Sequence, residues 1–460
     1  MLGNAATSQQ DVVNLLAGAK ELHKRILFVL GALIVYRLGT HIPLPGIDPT
    51  ALSAYANQLQ QGLFGLFNVF SGGAFSRMAV FSLSVFPYIT ASIIFQLLVA
   101  TTPKLKELKQ EGEPGRRKIA QYTKYLTVLI AFGQGFGLAS GIMGQTVGVN
   151  GQTVALVPAA GILFQVQTAL CITAGTLFLM WVGERITARG IGNGISLLIF
   201  AGIVAQLPSA IYQLGQLLNT GSIGGFTVLA IVAGFVAILA FCVFMELAQR
   251  RLTVQYPKRN QGPDAMMQQG SHLPLKLNLS GVMPPIFASA LLMAPITMAS
   301  FAADSAWAQF VSAWFSPGRP LYIVTFAAMI IFFTFFYTAT VAFNTEETAE
   351  NLKNNGGFIP GVRPGQPTAK YLDFVVTRIT VIGAAYITLV CVIPEILHGQ
   401  QLIPVYFGGT SILIMVTVTI DTMSRIQSFL IAQRYEGLLK QSLFGKRRGG
   451  PRQQIKPGRR

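Results

Sequence analysis

The chain has 460 residues, 52% of them hydrophobic and only 11% charged, with a formal net charge of +17 and a mean hydropathy of +0.53. A soluble domain carries roughly 25% charged residues, so this composition excludes an ordinary water-soluble globule. The apolar residues fall in long blocks, and a bilayer core about 30 Å thick takes roughly 20 such residues as one helix.

In chain order, Met1 to Asp11 is polar and the first apolar run is Ile26 to Leu38. No small-residue cleavage site follows that run; Pro43, Pro45 and a Gly-Ile-Asp turn do, so the first span is expected to be retained. Membrane segments are predicted at 26–42, 78–100, 125–142, 159–182, 191–213, 226–247, 281–303, 321–343, 374–397 and 402–424. Backbone groups in hydrocarbon must bond within their own segment, so such runs are helices. They are too long and too uniformly apolar for barrel strands. The expected fold class is all-α, a polytopic membrane protein of ten transmembrane helices.

Between the first two spans, Gly62 to Phe75 reads GLFGLFNVFSGGAF, apolar but too short to cross. It is expected to be either a re-entrant helix enclosed by protein or an interfacial anchor. Span 2 carries Thr90, Ser92 and Gln96, and the approach to span 7 carries Asn278 and Ser280. Polar groups in lipid need partners, so these read as ordinary inter-helix glue or as a weak, breakable seam across one helix pair. Gly190-Ile-Gly-Asn-Gly194 resembles half of a dinucleotide fingerprint, but no strand precedes it. A tight turn and close helix packing is the better reading of those glycines.

Positive charge alternates from one connection to the next. Lys20, Lys24 and Arg25 precede span 1, and a basic cluster from Lys104 to Lys124 separates spans 2 and 3. Arg185 and Arg189 lie between 4 and 5, Arg250 to Lys276 between 6 and 7, and Lys353 to Arg378 between 8 and 9. The remaining connections hold Arg37, Arg77 and Arg319 alone. Positive residues mark the cytoplasmic side, so both termini are expected there, including the basic tail from Lys446 to Arg460. Such a face attracts anionic lipid, an acidic protein or RNA.

The spans read as nearly free of ionisable residues, which argues against an ion-coupled carrier. Arg37 lies near the outer end of span 1, and Asp421 and Arg425, four apart, are expected to pair near the end of span 10. Cys171, Cys242 and Cys391 read as small buried hydrophobes. His23, His41, His272 and His398 show no ligand spacing, and no phosphate loop or catalytic constellation appears, so no metal, no cofactor and no enzymatic activity is expected.

Several segments, taken together and in order, resemble the bacterial SecY family. They are Ile42-Pro-Leu-Pro-Gly-Ile-Asp48, Phe70-Ser-Gly-Gly73, Pro87-Tyr-Ile-Thr-Ala-Ser92, Gly112-Glu-Pro-Gly-Arg-Arg117, Gly183 to Ser196, His272-Leu-Pro-Leu-Lys276, Gly361-Val-Arg-Pro-Gly365 and Tyr406-Phe-Gly-Gly-Thr410. The resemblance covers about residues 20–440 and implies a protein-conducting channel in a bacterial inner membrane. It implies two inverted five-helix halves, here 1–213 and 214–430, followed by the tail 431–460, with a lateral gate between spans 2 and 7. The plug would be Leu63, Phe64, Leu66, Phe67, Val69, Phe70, Ser71, Gly72 and Gly73. By local motif match the apolar pore ring would be Val85, Ile89, Ile199, Met283 and Ile414. The gate seam would be Thr90, Ser92, Gln96 and Asn278.

Lys258, Arg259 and Arg363 match the family's contacts for the ribosome or the SecA motor ATPase. The basic pair that often follows Arg259 is replaced by Pro263-Asp264. Implied partners are SecE, SecG, SecA, the ribosome, signal sequences and nascent chains, and anionic lipid. A secondary transporter for a small solute is the alternative, and a membrane scaffold that recruits ribosomes is a third class.

Overall fold

Helix α1, Gln9–Gly39, holds the first predicted span in its second half. It ends where Pro43, Pro45 and the left-handed Gly46 (φ +88°) turn the chain. In this computed structural model the described residues are 9–59, 68–149, 152–221, 224–256, 271–301, 306–315, 318–399 and 408–445. Asp48 caps α2, Pro49–Leu59: its Oδ1 accepts from Thr50 N at 2.8 Å and Thr50 Oγ1 at 2.6 Å. With Pro49 at the first helical position, this is a strong start signal.

Span 2 was expected to begin at residue 78, but α3 is Phe86–Thr101. Residues 71–85 are a run of turns instead, with Met78 (φ 43°) and Ser84 (φ 49°) in the left-handed region. The run is held against the exit of α1 by an antiparallel bridge between Pro43 and Ala79. Leu44 N donates to Met78 O at 2.9 Å and Val80 N to Ile42 O at 3.0 Å. Tertiary pairing therefore overrides an apolar stretch that reads as helix. Pro103 then stops α3, and the polar helix α4, Pro103–Gln110, leaves it at a bend of 100°.

Long helices follow: α5 Glu113–Met143, α6 Ile162–Arg189, α7 Gly194–Asn219 and α8 Gly225–Leu247, with the hairpin β1 (Thr146–Val149) and β2 (Gln152–Ala155) between α5 and α6. The glycines at 190–194 act as the tight-turn reading expected. Gly192 takes φ +90°, Asn193 Oδ1 caps α7 through Ile195 N, and a side chain on Gly194 would collide with Gly183 O.

Next come β3 (Gln249–Val254) paired antiparallel with β4 (Ser271–Lys276), then α9 Met283–Phe301, α10 Ala306–Trp314 and α11 Pro320–Tyr337. A π-turn, Thr338–Ala342, ends α11 before α12 Thr345–Asn354, α13 Gln366–Gly399 and α14 Gly409–Gly445.

Every predicted span falls on one of these helices. By length and composition, seven helices among the described residues are apolar enough to cross a membrane, or eight with the bent α3–α4 pair taken as one. Apolar side chains line the outer perimeter, most clearly on α8, where Phe226 is 84% and Leu229 65% exposed. In a membrane these face lipid rather than water.

Two hydrophobic clusters organise the interior. The large one joins the spanning helices and includes Tyr36, Phe70, Phe75, Ile199, Ile286 and Ile414. The small one joins β3, β4, α12 and the start of α13 through Leu252, Val254, Leu275, Leu352, Leu372 and Val375. The described parts of the loops between spans 6 and 7 and between 8 and 9 are thus one packed unit, tied further by the bridge between Gln255 and Phe358. Within the membrane region, α9 packs against α3 and α5, and α14 against α1 and α7.

Candidate functional site

The described part of the short apolar segment is Asn68 to Phe75, all of it buried. Leu63, Phe64, Leu66 and Phe67 lie outside the described residues. Asn68 organises the turn: its carbonyl accepts from Gly73 N at 2.8 Å and its Oδ1 from Ser76 N at 3.0 Å. Ser71 Oγ accepts from Phe75 N at 3.1 Å. Helix α1 reaches in from the side, with Tyr36 Oη donating to Ser71 O at 3.1 Å and Arg37 Nη1 to Gly72 O at 2.6 Å. Enclosure in protein is therefore the right description of residues 68–75, not an anchor lying on the surface.

Phe70 is buried in the large cluster. Its ring meets Phe86 edge-on, centroids 5.4 Å apart. Together with Ser84, Val85, Phe86, Ile89, Ile199 and Ile286 it encloses a cavity of about 10 Å³. That is at or below the space one water needs. Val85 and Ile89, one helical turn apart, present one face to it. Of the five residues assigned to an apolar ring, Val85, Ile89 and Ile199 meet here. Ile414 is buried in the same cluster, whereas Met283 lines a different cavity. Ile286, one turn further along α9, takes the inward position. The sequence reading missed it, although helical phase brings i+3 onto nearly the same face.

The second cavity, about 280 Å³, lies where the ends of α8 and β4 and the first half of α14 meet the starts of α7 and α9, and its lining includes Asn193, Glu246, Lys276, Asn278, Met283, Asp421 and Arg425. Asn278 is the hub. Its Nδ2 donates to Glu246 Oε1 at 2.6 Å and to Gly281 O at 3.1 Å. Its Oδ1 accepts from Gly281 N at 2.9 Å and Ser280 Oγ at 3.1 Å. All four hydrogen-bonding positions of the amide are used, and the turn before α9 is locked to α8. Glu246, 5% exposed, was passed over when the spans were read as nearly free of ionisable groups, as was the buried Glu395.

The predicted seam residues do not bond to one another across α3 and α9. Thr90 Oγ1 donates to Phe86 O at 3.1 Å, and Gln96 Nε2 to Ser92 Oγ at 3.2 Å, both within α3. Asn278 turns to α8 instead. The two helices do pack together, so their contact is mainly apolar. Asp421 pairs with Lys276 at 3.7 Å rather than with Arg425, because β4 delivers the lysine to that helix face. Both partners are half exposed, so the pair adds little stability.

On the face of the small cluster, Arg363 is exposed, and its carbonyl accepts from Thr368 Oγ1 at 2.8 Å. Arg378 stacks over Phe374 at 4.2 Å. Lys258 and Arg259 lie outside the described residues. No group of three or more His, Cys, Asp or Glu suited to a metal ion occurs among the described residues.

A family model described as SecY matches residues 79–423. The protein translocase subunit SecY of Escherichia coli strain K12 is 48% identical over 429 residues, 92% of this chain and 95% of that protein. The same subunit of Pseudomonas aeruginosa is 48% identical over 428 residues, again 92% of this chain and 95% of the relative. Among solved structures, one described as a protein conducting channel aligns with a TM-score of 0.61 at 16% identity, covering 88% of this chain and 92% of that one. Sec61 in the canine ribosome-channel complex from the endoplasmic reticulum aligns at 0.58 and 15%, with the same coverages. At such identities the structural likeness is one of fold.

Proposed function

The chain belongs to the SecY family, and from that premise we propose that it is the central pore-forming subunit of a protein-translocation channel in a bacterial inner membrane. The observation that supports this most directly is the small apolar constriction around Phe70, Val85, Ile89, Ile199 and Ile286. Uncharged aliphatic walls bind no ion and favour dewetting, so a gap of that size leaks little. The same walls offer nothing to hold a passing polypeptide. A small-solute carrier would instead need a charged or polar midplane site, whereas the constriction carries no charged group and a single hydroxyl, that of Ser84.

The chain is read as two inverted halves, 1–213 and 214–430, with a cytoplasmic tail from 431 to 460. The segment from 62 to 75 is the plug. Its described end, Val69 to Gly73, closes the outer side of the ring formed by Val85, Ile89, Ile199, Ile286 and Ile414. The gate lies between α3 and α9. A secretory signal has an apolar core of about 7–15 residues. Such a core gains by replacing apolar α3–α9 contact, and its binding shifts the closed–open equilibrium by its preference for the open form. Secreted chains then cross through the ring, and membrane helices leave sideways into lipid.

The packed cytoplasmic unit of β3, β4 and α12, with Arg363 exposed and Lys258 and Arg259 nearby in sequence, is the docking face for a ribosome or the SecA motor. SecE and SecG complete the complex, and both termini are cytoplasmic. Reconstitution of the purified complex in vesicles with its motor tests the reading. A secretory precursor should become protease-protected inside, and complete digestion despite an assembled complex would overturn it.

A further inference from the structure

The motif Ser71-Gly72-Gly73 invites the reading of a flexible break. The geometry shows something else. Gly72 (φ +66°) and Gly73 (φ +85°) take left-handed conformations inside a fully buried turn. A Cβ on Gly72 would stand 3.1 Å from Gly202 Cα, and one on Gly202 would stand 2.6 Å from Phe70 O. These glycines let two backbones, the turn and α7, touch. Beside the same contact α1 supplies Tyr36 Oη to Ser71 O and Arg37 Nη1 to Gly72 O. None of the four ion pairs among the described residues involves Arg37. Its described polar contact is a short, charge-assisted bond to that one carbonyl.

We infer that Arg37 and Tyr36 are positioning residues for the closed state: they pin the Ser71–Gly72 turn against Gly202 and thereby hold Phe70 in the constriction. The inference rests on the plug reading above and adds the part that sets how tightly the resting channel seals. Phe70 is two residues from the carbonyl that Arg37 holds, and it lines the 10 Å³ cavity directly. With no room for a water at closure, a small shift of the turn is enough to admit one. Arg37 does not touch a passing chain at the ring; it acts through Phe70.

The test is the resting conductance of the full complex in planar bilayers, without substrate, read beside precursor translocation and the thermal midpoint of the same preparation. Arg37→Gln loses the charge-assisted bond and should raise the resting leak about tenfold or more. Arg37→Lys keeps a cationic donor and should restore much of the seal. Tyr36→Phe removes one hydroxyl and should leak less than Arg37→Gln but measurably. Gly202→Ala pushes on Phe70 O and should also leak. Each variant should still translocate a precursor with an intact signal. A fully folded Arg37→Gln as tight as the parent would overturn the inference. Should Arg37→Gln fail to fold, a tight Tyr36→Phe would do the same. A parent complex that seals but never translocates would sink the channel reading and leave the pin standing.

Discussion

Replacing Asn278 with Ala removes a side chain that makes four hydrogen bonds at the root of α9. Each neutral bond is worth about 1 kcal/mol net, and a buried acceptor left unmatched costs about 1–3 kcal/mol. The variant leaves Glu246 Oε1, in a residue only 5% exposed, without its 2.6 Å donor. Summing the three lost turn bonds and the stranded carboxyl gives a destabilisation of about 4–6 kcal/mol. The cost divides into a part local to the turn and a part shared with Glu246. A double-mutant cycle separates them, using equilibrium unfolding of the complex in mixed micelles. On a Glu246→Leu background the stranded acceptor is gone, so Asn278→Ala should cost only about 3 kcal/mol, a coupling of about 1–3 kcal/mol. Strictly additive costs would refute the claim that Glu246 and Asn278 act as one latch between α8 and α9.

Other outcomes follow from the same contacts. Ile286→Asn should raise resting conductance, because its side chain lines the constriction, whereas Met283→Asn should raise it far less; equal effects would refute the assignment of Ile286. Gly175→Ala should lower stability by about 1–3 kcal/mol by forcing its new methyl against Val80 O, measured by the same unfolding assay. The hydrogen bonds from Thr50 and Ala51 hold the Asp48 carboxyl below its usual pKa. A group with a depressed folded value stabilises above its unfolded pKa and loses that contribution as pH falls through the folded one. Amide exchange in α2 should therefore accelerate on acidification below the ordinary carboxylate range, and Asp48→Ala should abolish that acid response. Breaking the half-exposed Lys124–Glu184 pair, 2.7 Å apart, should change stability by no more than about 1 kcal/mol.

Most of the architecture was legible in the sequence because hydrocarbon imposes a simple rule: apolar runs of a given length must be helices. Each predicted span accordingly lands on a helix. The stretch 78–85 misled because it is apolar without being helical; its backbone pairs with the exit of α1, a contact between residues some 35 apart that no local pattern announces. Val85, Ile89 and Ile199, which local motifs single out, line one cavity. On α9 it is Ile286, one turn beyond Met283, that lines this cavity, and the start of α9 rests on the Asn278–Gly281 turn. The partners of the polar residues on α3 were not legible for a related reason. Polar residues on two neighbouring helices need partners, but composition does not say whose: Thr90 and Gln96 Nε2 bond within α3, while Gln96 Oε1 is buried without a partner among the described residues. Glu246 went unnoticed as the last acid of an apolar block, although a carboxyl there requires a donor and Asn278 lies just beyond the following hairpin.

The central claim, that a polypeptide passes through the apolar ring, is tested most directly by crosslinking. A cysteine at Ile199, which lines the constriction, should crosslink to a secretory chain stalled in transit, while a cysteine at the lipid-facing Leu229 should not. Failure of Ile199→Cys to crosslink while secretion proceeds, or equal crosslinking at Leu229, would contradict the account.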